Sequence, residues 1–270
     1  MTRLFALGSG SQGNCFALAS DGAVLLIDAG FSAREIARRA ETGGLALEQV
    51  IGIVLTHEHG DHARGAARLA SRLRVPILTA PGTHARLRAD ALRAAHLPLG
   101  LTAEVALGPF TVRACPTSHD AAEPLALAVH TADGARVGVA YDLGRATIAT
   151  RYLLRGLTAI VLEANHDDVL LRTSGYPPVV QQRIAGSGGH LSNRAAAELL
   201  AELHHPGLGV VVLAHLSERC NTAAGARAAI EPALRRVGFR GTLYVAEQDA
   251  PLPAIDVPPG VLELEFPLAL

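Results

Sequence analysis

The stretch Ile51-Gly52-Ile53-Val54-Leu55-Thr56-His57-Glu58-His59-Gly60-Asp61-His62 decides the reading of this chain. Its first five residues are apolar without alternation, the pattern of a strand covered on both faces. The strand opens into a turn that carries His57, His59, Asp61 and His62 within six residues. Two histidines two apart on an extended turn can point the same way, while Asp61 and His62 start the next helix. Four nitrogen and oxygen donors this close together are enough for parts of two metal sites. The alternative is a histidine-rich surface loop, which has no need of a buried strand feeding it.

Working outward, the same arrangement recurs. Residues 24–27, 137–141, 159–162 and 210–213 are further short apolar runs bounded by turn residues. They lead to Asp28, Asp142, Glu163 (with His166 nearby) and His215, and residues 111–115 lead into Ser118-His119-Asp120. Core packing gives no reason for six strands to release titratable residues at one end, whereas ligand sites of α/β sheets gather at strand ends. Between the runs, residues 32–42 read as a helix with a Ser32/Glu35 capping box and a Gly43-Gly44 stop. Residues 63–73, 83–95, 193–203 and 222–237 also read as helices. Alternating segments at 111–115, 125–131 and 261–266 predict added antiparallel strands. The class is a layered α/β fold with helices outside and sheet inside, and no Pro/Ser-rich linker divides residues 1–270 into more than one domain.

Composition narrows the classes. Of 270 residues 49% are hydrophobic and 18% charged, which excludes global disorder. With 24 basic and 25 acidic residues, net charge alone points to neither nucleic acid nor membrane. No apolar run nears the roughly 20 residues of a membrane span. The opening MTRLFAL gives way at once to a glycine-rich turn, unlike a secretory leader. Three scattered cysteines, Cys15, Cys115 and Cys220, make no disulfide framework or cysteine zinc site, and a reducing cytoplasm fits them best.

The charge is nevertheless uneven. All basic residues are arginine, and residues 64–93 hold seven of them against one acid, Asp90. Arg64, Arg68 and Arg72, four apart on one helix face, would draw a polyanionic backbone toward the histidine turn; the alternative is an ordinary solvated face. His190 follows a glycine-rich turn and precedes a helix opened by Ser192-Asn193. Free amides at such a helix start favour phosphate oxygens. His190 then reads as a proton donor to a leaving oxygen, with Ser192 and Asn193 on the phosphate; otherwise Ser192 is a cap and His190 a turn residue. His166, beside Asn165, is a similar case with fewer signals.

The HxHxDH turn after a buried strand, with Asp28 upstream and His119, Asp142 and His215 following in order, resembles the metallo-β-lactamase superfamily. Six further segments resemble its YycJ/WalJ-like bacterial branch: GSGSQGN at 8–14, SHD at 118–120, YDLG at 141–144, EANHD at 163–167, GHLSN at 189–193 and AHLS at 214–217. The resemblance implies a four-layer αββα sandwich. It also implies two divalent metal ions, zinc first and manganese or iron otherwise. His57, His59 and His119 would hold one and Asp61, His62 and His215 the other, with Asp142 bridging. It further implies a cytoplasmic exonuclease acting on DNA, 5′→3′. Such an ion pair lowers the pKa of a shared water and clamps a phosphate, and Asp61 could orient that water or take its proton. Asp28 reads either as a second hold on a ligand histidine or as a turn cap.

Asp142 stands where lactamases of this family commonly place a cysteine, which disfavours that subclass; Cys115 and Cys220 read as small buried hydrophobes. Asp142 and His215 are 73 residues apart, an interval that cannot hold the extra domain of β-CASP nucleases, and no long insertion resembles the arm of ribonuclease Z. Aromatic residues, at 4%, offer no stacking tract, so nucleic acid would be held by its phosphates. Two other readings keep the same site: hydrolysis of a small phosphodiester or thioester, and a metal-stabilised regulatory protein without catalysis. Protein partners are not indicated.

Overall fold

The computed structural model describes residues 1–87, 91–100 and 104–260. The strand expected at 261–266 lies outside them. Strands β1 (Arg3–Gly8), β2 (Cys15–Ser20), β3 (Ala23–Ile27), β4 (Val50–Val54), β5 (Ile77–Thr79) and β6 (His96–Pro98) lie side by side in one sheet. A second sheet holds β7 (Val105–Leu107), β8 (Phe110–Pro116), β9 (Leu125–Thr131), β10 (Arg136–Ala140), β11 (Ala159–Glu163), β12 (Val210–Ala214) and β13 (Thr242–Val245). A short β14 (Ile255–Asp256) returns to pair with β1. Strands β3 to β6 run parallel, as do β10 to β13. β8 and β9 are antiparallel, as their alternation predicts.

The first sheet is flanked by α1 (Ala33–Thr42), α2 (Gly60–Ala63), α3 (Ala66–Leu73) and α4 (Pro81–Arg86). The second is followed by α5 (Ile148–Leu153), α6 (Asp168–Thr173), α7 (Pro178–Ala185), α8 (Asn193–Leu203) and α9 (Ala223–Arg236). Leu25, Ile27 and Val54 of one sheet pack on Leu127, Val139, Val161 and Val212 of the other. On its outer face the first sheet packs Leu26 and Ile53 on Ile36 of α1 and Ala66 and Ala70 of α3. Ile160, Leu162 and Leu213 meet Leu199 and Leu200 of α8 and Ile230 and Leu234 of α9. The layers are therefore helix, sheet, sheet, helix, and the central strands lack alternation because both of their faces are in a core. Among the described residues no helix is long and apolar enough to cross a membrane.

Two helix expectations are corrected. Residues 63–73 do not form one helix. In a continuous helix Gly65 N would donate to Asp61 O. Here Asp61 O accepts from Asn14 N at 2.7 Å and Gly65 N donates to Ala29 O at 2.7 Å, so the helix divides at Arg64–Gly65. Residues 83–95 are not one helix either. α4 begins at Pro81 and ends at Arg86, where Leu87 turns extended (φ −65°, ψ 157°) and buries its side chain in the outer core. A single 3-10 turn occupies Ala91–Arg93, and 88–90 lie outside the described residues.

α1 starts as expected, with Ser32 Oγ accepting from Glu35 N at 3.2 Å. The Glu35 carboxylate does not return to Ser32; it takes Arg38 and Arg39, each at 2.6 Å. Their hydrogen bonds hold it at about 2, below the usual 4.5. Arg39 is buried over the Phe31 ring and donates through Nη1 to Leu7 O and Gln248 O. It ties α1 to the end of β1 and to the segment after β13. Arg39→Met should cost about 2–4 kcal/mol in urea unfolding, since two buried carbonyls and a carboxylate lose their donor. Glu35→Gln should cost no more than about 1 kcal/mol at neutral pH, because the carboxylate is partly solvated. A carboxyl held down by folding stabilises above its unfolded pKa. The difference from wild type should therefore fade as pH drops from 4.5 to about 2.

Candidate metal centre

Parallel strands present their C-terminal ends at one edge, and there the polar strand ends meet. Asp28 follows β3, Asp142 follows β10 and His215 follows β12, and all three take left-handed backbone, with φ of +57°, +54° and +55°. Each such residue costs about 1–3 kcal/mol and persists only where its surroundings hold it. The strain turns three chains sharply inward at their strand ends.

The imidazoles are fixed from behind. His62 Nδ1 donates to Asp28 Oδ2 at 2.6 Å. The buried Asp28 carboxylate also accepts from Thr56 N (2.8 Å), Thr56 Oγ1 (2.8 Å) and Tyr141 OH (2.7 Å), so it holds a histidine and caps the Thr56 turn at once. The Thr56 hydroxyl proton is thus committed, and His57 Nδ1, 3.1 Å away, is the donor to that oxygen. His119 Nδ1 faces Gly189 O at 3.2 Å and His215 Nδ1 faces Glu163 Oε1 at 3.1 Å. With every Nδ1 occupied, the Nε2 atoms of His57, His62, His119 and His215 close on the Asp142 carboxylate, at 3.9, 2.9, 3.7 and 3.6 Å.

These donors have more lone pairs than protons. Buried His57 Nε2 has no hydrogen-bond partner, and neither does Asp142 Oδ2, since His62 Nε2 at 2.9 Å is a close charge contact rather than an aligned hydrogen bond. Burial and the neighbouring His62 push His57 far below the usual histidine range, into the neutral, ligating form. Burial opposes the charge of Asp61, but hydrogen bonds with His215 and His62 outweigh it and keep the carboxyl ionised. Ligand atoms of His57, His59 and His119 lie within 4.8 Å of one another, as do those of Asp61, His62 and His215. Asp142 gathers with His57 and His62, and also with Glu163, His190 and His215. A set of imidazoles and carboxylates like this fits divalent zinc, manganese or iron. Each triad takes two donors from the turn after β4 and one from the second sheet.

The cluster forms a wall of a cavity of about 280 Å³, to which His59, Asp61, His119, Asp142, His190 and His215 all contribute. His190 Nδ1 lies 2.8 Å from Glu163 Oε1, and although burial opposes its charge, Glu163 and Asp142 raise it to about 10. The structure thus brings together the seven residues that the resemblance implies as ligands, with His190 beside them. Other expected residues fall elsewhere. Ser192 caps α8, accepting from Ala195 N at 3.3 Å, and Asn193 exchanges hydrogen bonds with Asn221. His166 is buried, and its carbonyl accepts from Asn193 N at 2.8 Å. This bond binds the start of α8 to the loop after β11, and none of the three residues lines the cavity. Arg64 is exposed at the end of α2, and Arg68 lines a different cavity. The three cysteines are free and buried.

Several contributors carry no signal of their role in the sequence, although some lie in segments that resemble the family. Glu163, legible there only as a strand end, takes His190 and His215 on Oε1 and the amides of Leu143 and Leu191 on Oε2. Ser9 accepts from His215 N and donates to Asn14 Oδ1, and Asn14 Nδ2 lies 3.2 Å from His62 Nε2. The GSGSQGN loop therefore laces together the Asp61, His62 and His215 triad. The cavity also has an aromatic and apolar wall, Tyr176, Val180 and Ile184, next to Arg183, which pairs with Asp120 at 2.7 Å. No motif marks that wall. Gly30 is required: a Cβ there would sit 1.7 Å from Asp61 O.

The family model of the metallo-β-lactamase superfamily matches residues 8–214. This chain belongs to that superfamily. Its curated relatives are hydrolases, and it is an enzyme of that kind. It is 30% identical over 243 residues to the exodeoxyribonuclease YycJ of Bacillus anthracis, covering 86% of this chain and 89% of that one. It is 28% identical over 222 residues to the exodeoxyribonuclease WalJ of Streptococcus pneumoniae, covering 80% and 81%. The fold is shared with the metallo-β-lactamase fold protein YhfI of Bacillus subtilis (TM-score 0.69, 16% identity, 93% of this chain and 98% of that one). It is also shared with zinc-bound PqqB of Methylobacterium extorquens (TM-score 0.67, 16% identity, 93% and 99%). Asp28→Asn should weaken zinc binding about 10- to 100-fold in a chelator competition, because His62 loses the anion that fixes its tautomer. An unchanged affinity would show that Asp28 does not orient His62 as a ligand.

Proposed function

We propose that this enzyme is a metal-dependent phosphodiester hydrolase acting on nucleic acid, and specifically a DNA exonuclease that works 5′→3′. The observation that carries the reading is the convergence of both donor triads and Asp142, which reaches one cavity wall through His59, Asp61, His119, Asp142 and His215, beside an anchored His190. Similarity to two exodeoxyribonucleases over most of the chain supports the choice of DNA. His57, His59 and His119 would hold one divalent ion and Asp61, His62 and His215 a second, with Asp142 between them. The ions supply Lewis acidity at the phosphate and acidify a water.

The chain's own groups do the rest. Asp61, ionised at the cavity wall, orients the attacking water and accepts its proton. His190, held through Nδ1 by Glu163, presents Nε2 as donor to the leaving oxygen. Asp28 and Glu163 keep the imidazoles in one tautomer through the cycle. Tyr176, Val180 and Ile184 offer the sugar and base of a terminal nucleotide an apolar surface away from water.

End-labelled linear DNA, incubated with the zinc- or manganese-loaded protein, should shorten progressively from its 5′ end. His59→Ala should lower the rate by about 1,000-fold, the several kcal/mol that an ion contributes, while circular dichroism stays unchanged. Chelation should abolish the activity and readdition of metal restore it. Intact DNA under both metals would refute the proposal. The modest cavity also admits a small phosphodiester, and turnover of bis-p-nitrophenyl phosphate with no action on DNA would select that substrate instead.

A further inference from the structure

A second and larger cavity, of about 1320 Å³, lies between α1 and α3 and shares no residue with the metal centre. Its polar lining is dominated by five arginines: Arg34 from α1, Arg68 and Arg72 from α3, Arg74 just beyond, and Arg93. None of its described lining residues is acidic. Among the described residues none of these five arginines has an ion pair or side-chain hydrogen bond. Arg38, Arg113, Arg151, Arg183, Arg194 and Arg235, by contrast, each sit on a carboxylate. Among the described residues the fold therefore gathers cations from three segments around one hollow without pairing them with a carboxylate, an arrangement that favours an anion there.

The floor of the hollow is alanine from both helices, including Ala33, Ala37, Ala67 and Ala70. Small side chains admit a close approach but provide nothing that would orient a particular small molecule. The volume also exceeds the roughly 1,000 Å³ at the upper end of small-ligand pockets. The occupant that suits mobile cations over a featureless floor is a repeating anion. α3 is eight residues long, so it spans about 12 Å, enough to run beside more than one phosphate of a nucleic-acid strand. The hollow begins beside the metal centre. Gly30 packs on the Asp61 carbonyl and Ser32 already lines the arginine cavity, two residues and at most about 7 Å of chain further on.

We propose that the cleft between α1 and α3 is a backbone track: it holds the phosphates of a nucleic-acid strand whose end occupies the metal-centre cavity. The assignment rests on the nucleic-acid activity proposed above and adds to it a binding surface outside the reacting cavity. That cavity, at about 280 Å³, accommodates only the end of a polymer, so the rest must run over the surface.

The test uses the zinc-loaded, full-length protein and two triple variants, Arg34→Ser/Arg72→Ser/Arg93→Ser and Arg34→Lys/Arg72→Lys/Arg93→Lys. Affinity for a fluorescein-labelled 20-nucleotide phosphorothioate strand is read by anisotropy between about 50 and 200 mM salt. The serine variant should bind about tenfold more weakly, and its plot of log affinity against log salt should be shallower by about 2, or roughly 0.7 for each phosphate no longer neutralised. The lysine variant should keep the wild-type slope, and both should turn over bis-p-nitrophenyl phosphate within twofold of wild type. An unchanged slope in the serine variant would overturn the track. So would a serine variant that loses tripolyphosphate binding but keeps the 20-mer, because the cleft would then be a site for a small polyanion. If the wild type cleaves no phosphodiester while the slopes differ as expected, the hydrolytic reading falls and the track stands.

Discussion

The structure depends on one buried carboxylate that has no proton to share. Asp142 sits among imidazole nitrogens whose other ring nitrogens are already engaged, with Asp61 close by. Anionic oxygen and lone-pair nitrogen facing one another in a dry place are stable only if positive charge comes between them, from a trapped proton or a dication. Most local features serve that convergence. The left-handed turns at Asp28, Asp142 and His215 aim the side chains, the Asp28 and Glu163 anchors fix the rings, and Gly30 lets two loops touch.

Much of this was legible in the sequence because its signals are local. Unbroken apolar runs mark strands covered twice, and a polar residue at each strand end marks the edge where they meet, so Asp28, His57, Asp142 and His215 could be placed before any fold was known. The helix expectations failed where a distant group competed for a backbone bond. Asn14 takes the carbonyl of Asp61 and so divides the predicted 63–73 helix, a rivalry between residues 47 positions apart that no helical propensity records. The 83–95 helix stops where Leu87 turns extended and is buried in the outer core, a tertiary contact that helical propensity does not record.

The substrate side of the site was harder to read for a different reason. Ser192 and Asn193 carry the residue types that hold phosphates at a helix start, but the same types cap helices and join loops, and here they do the latter. Tyr176, Val180 and Ile184 carry no signature because a wall of a cavity is defined by what lies across from it. The arginines show the converse. Their density was visible, but spacing along one helix suggested a stripe, and only the fold adds Arg34 and Arg93 and turns the stripe into a hollow.

Each donor triad draws two members from the loop after β4 and its third from the opposite sheet, His119 in one case and His215 in the other. Neither half of the molecule alone can therefore enclose an ion. Each donor set is complete only where the two sheets pack on one another, and its geometry reports that they have closed in register.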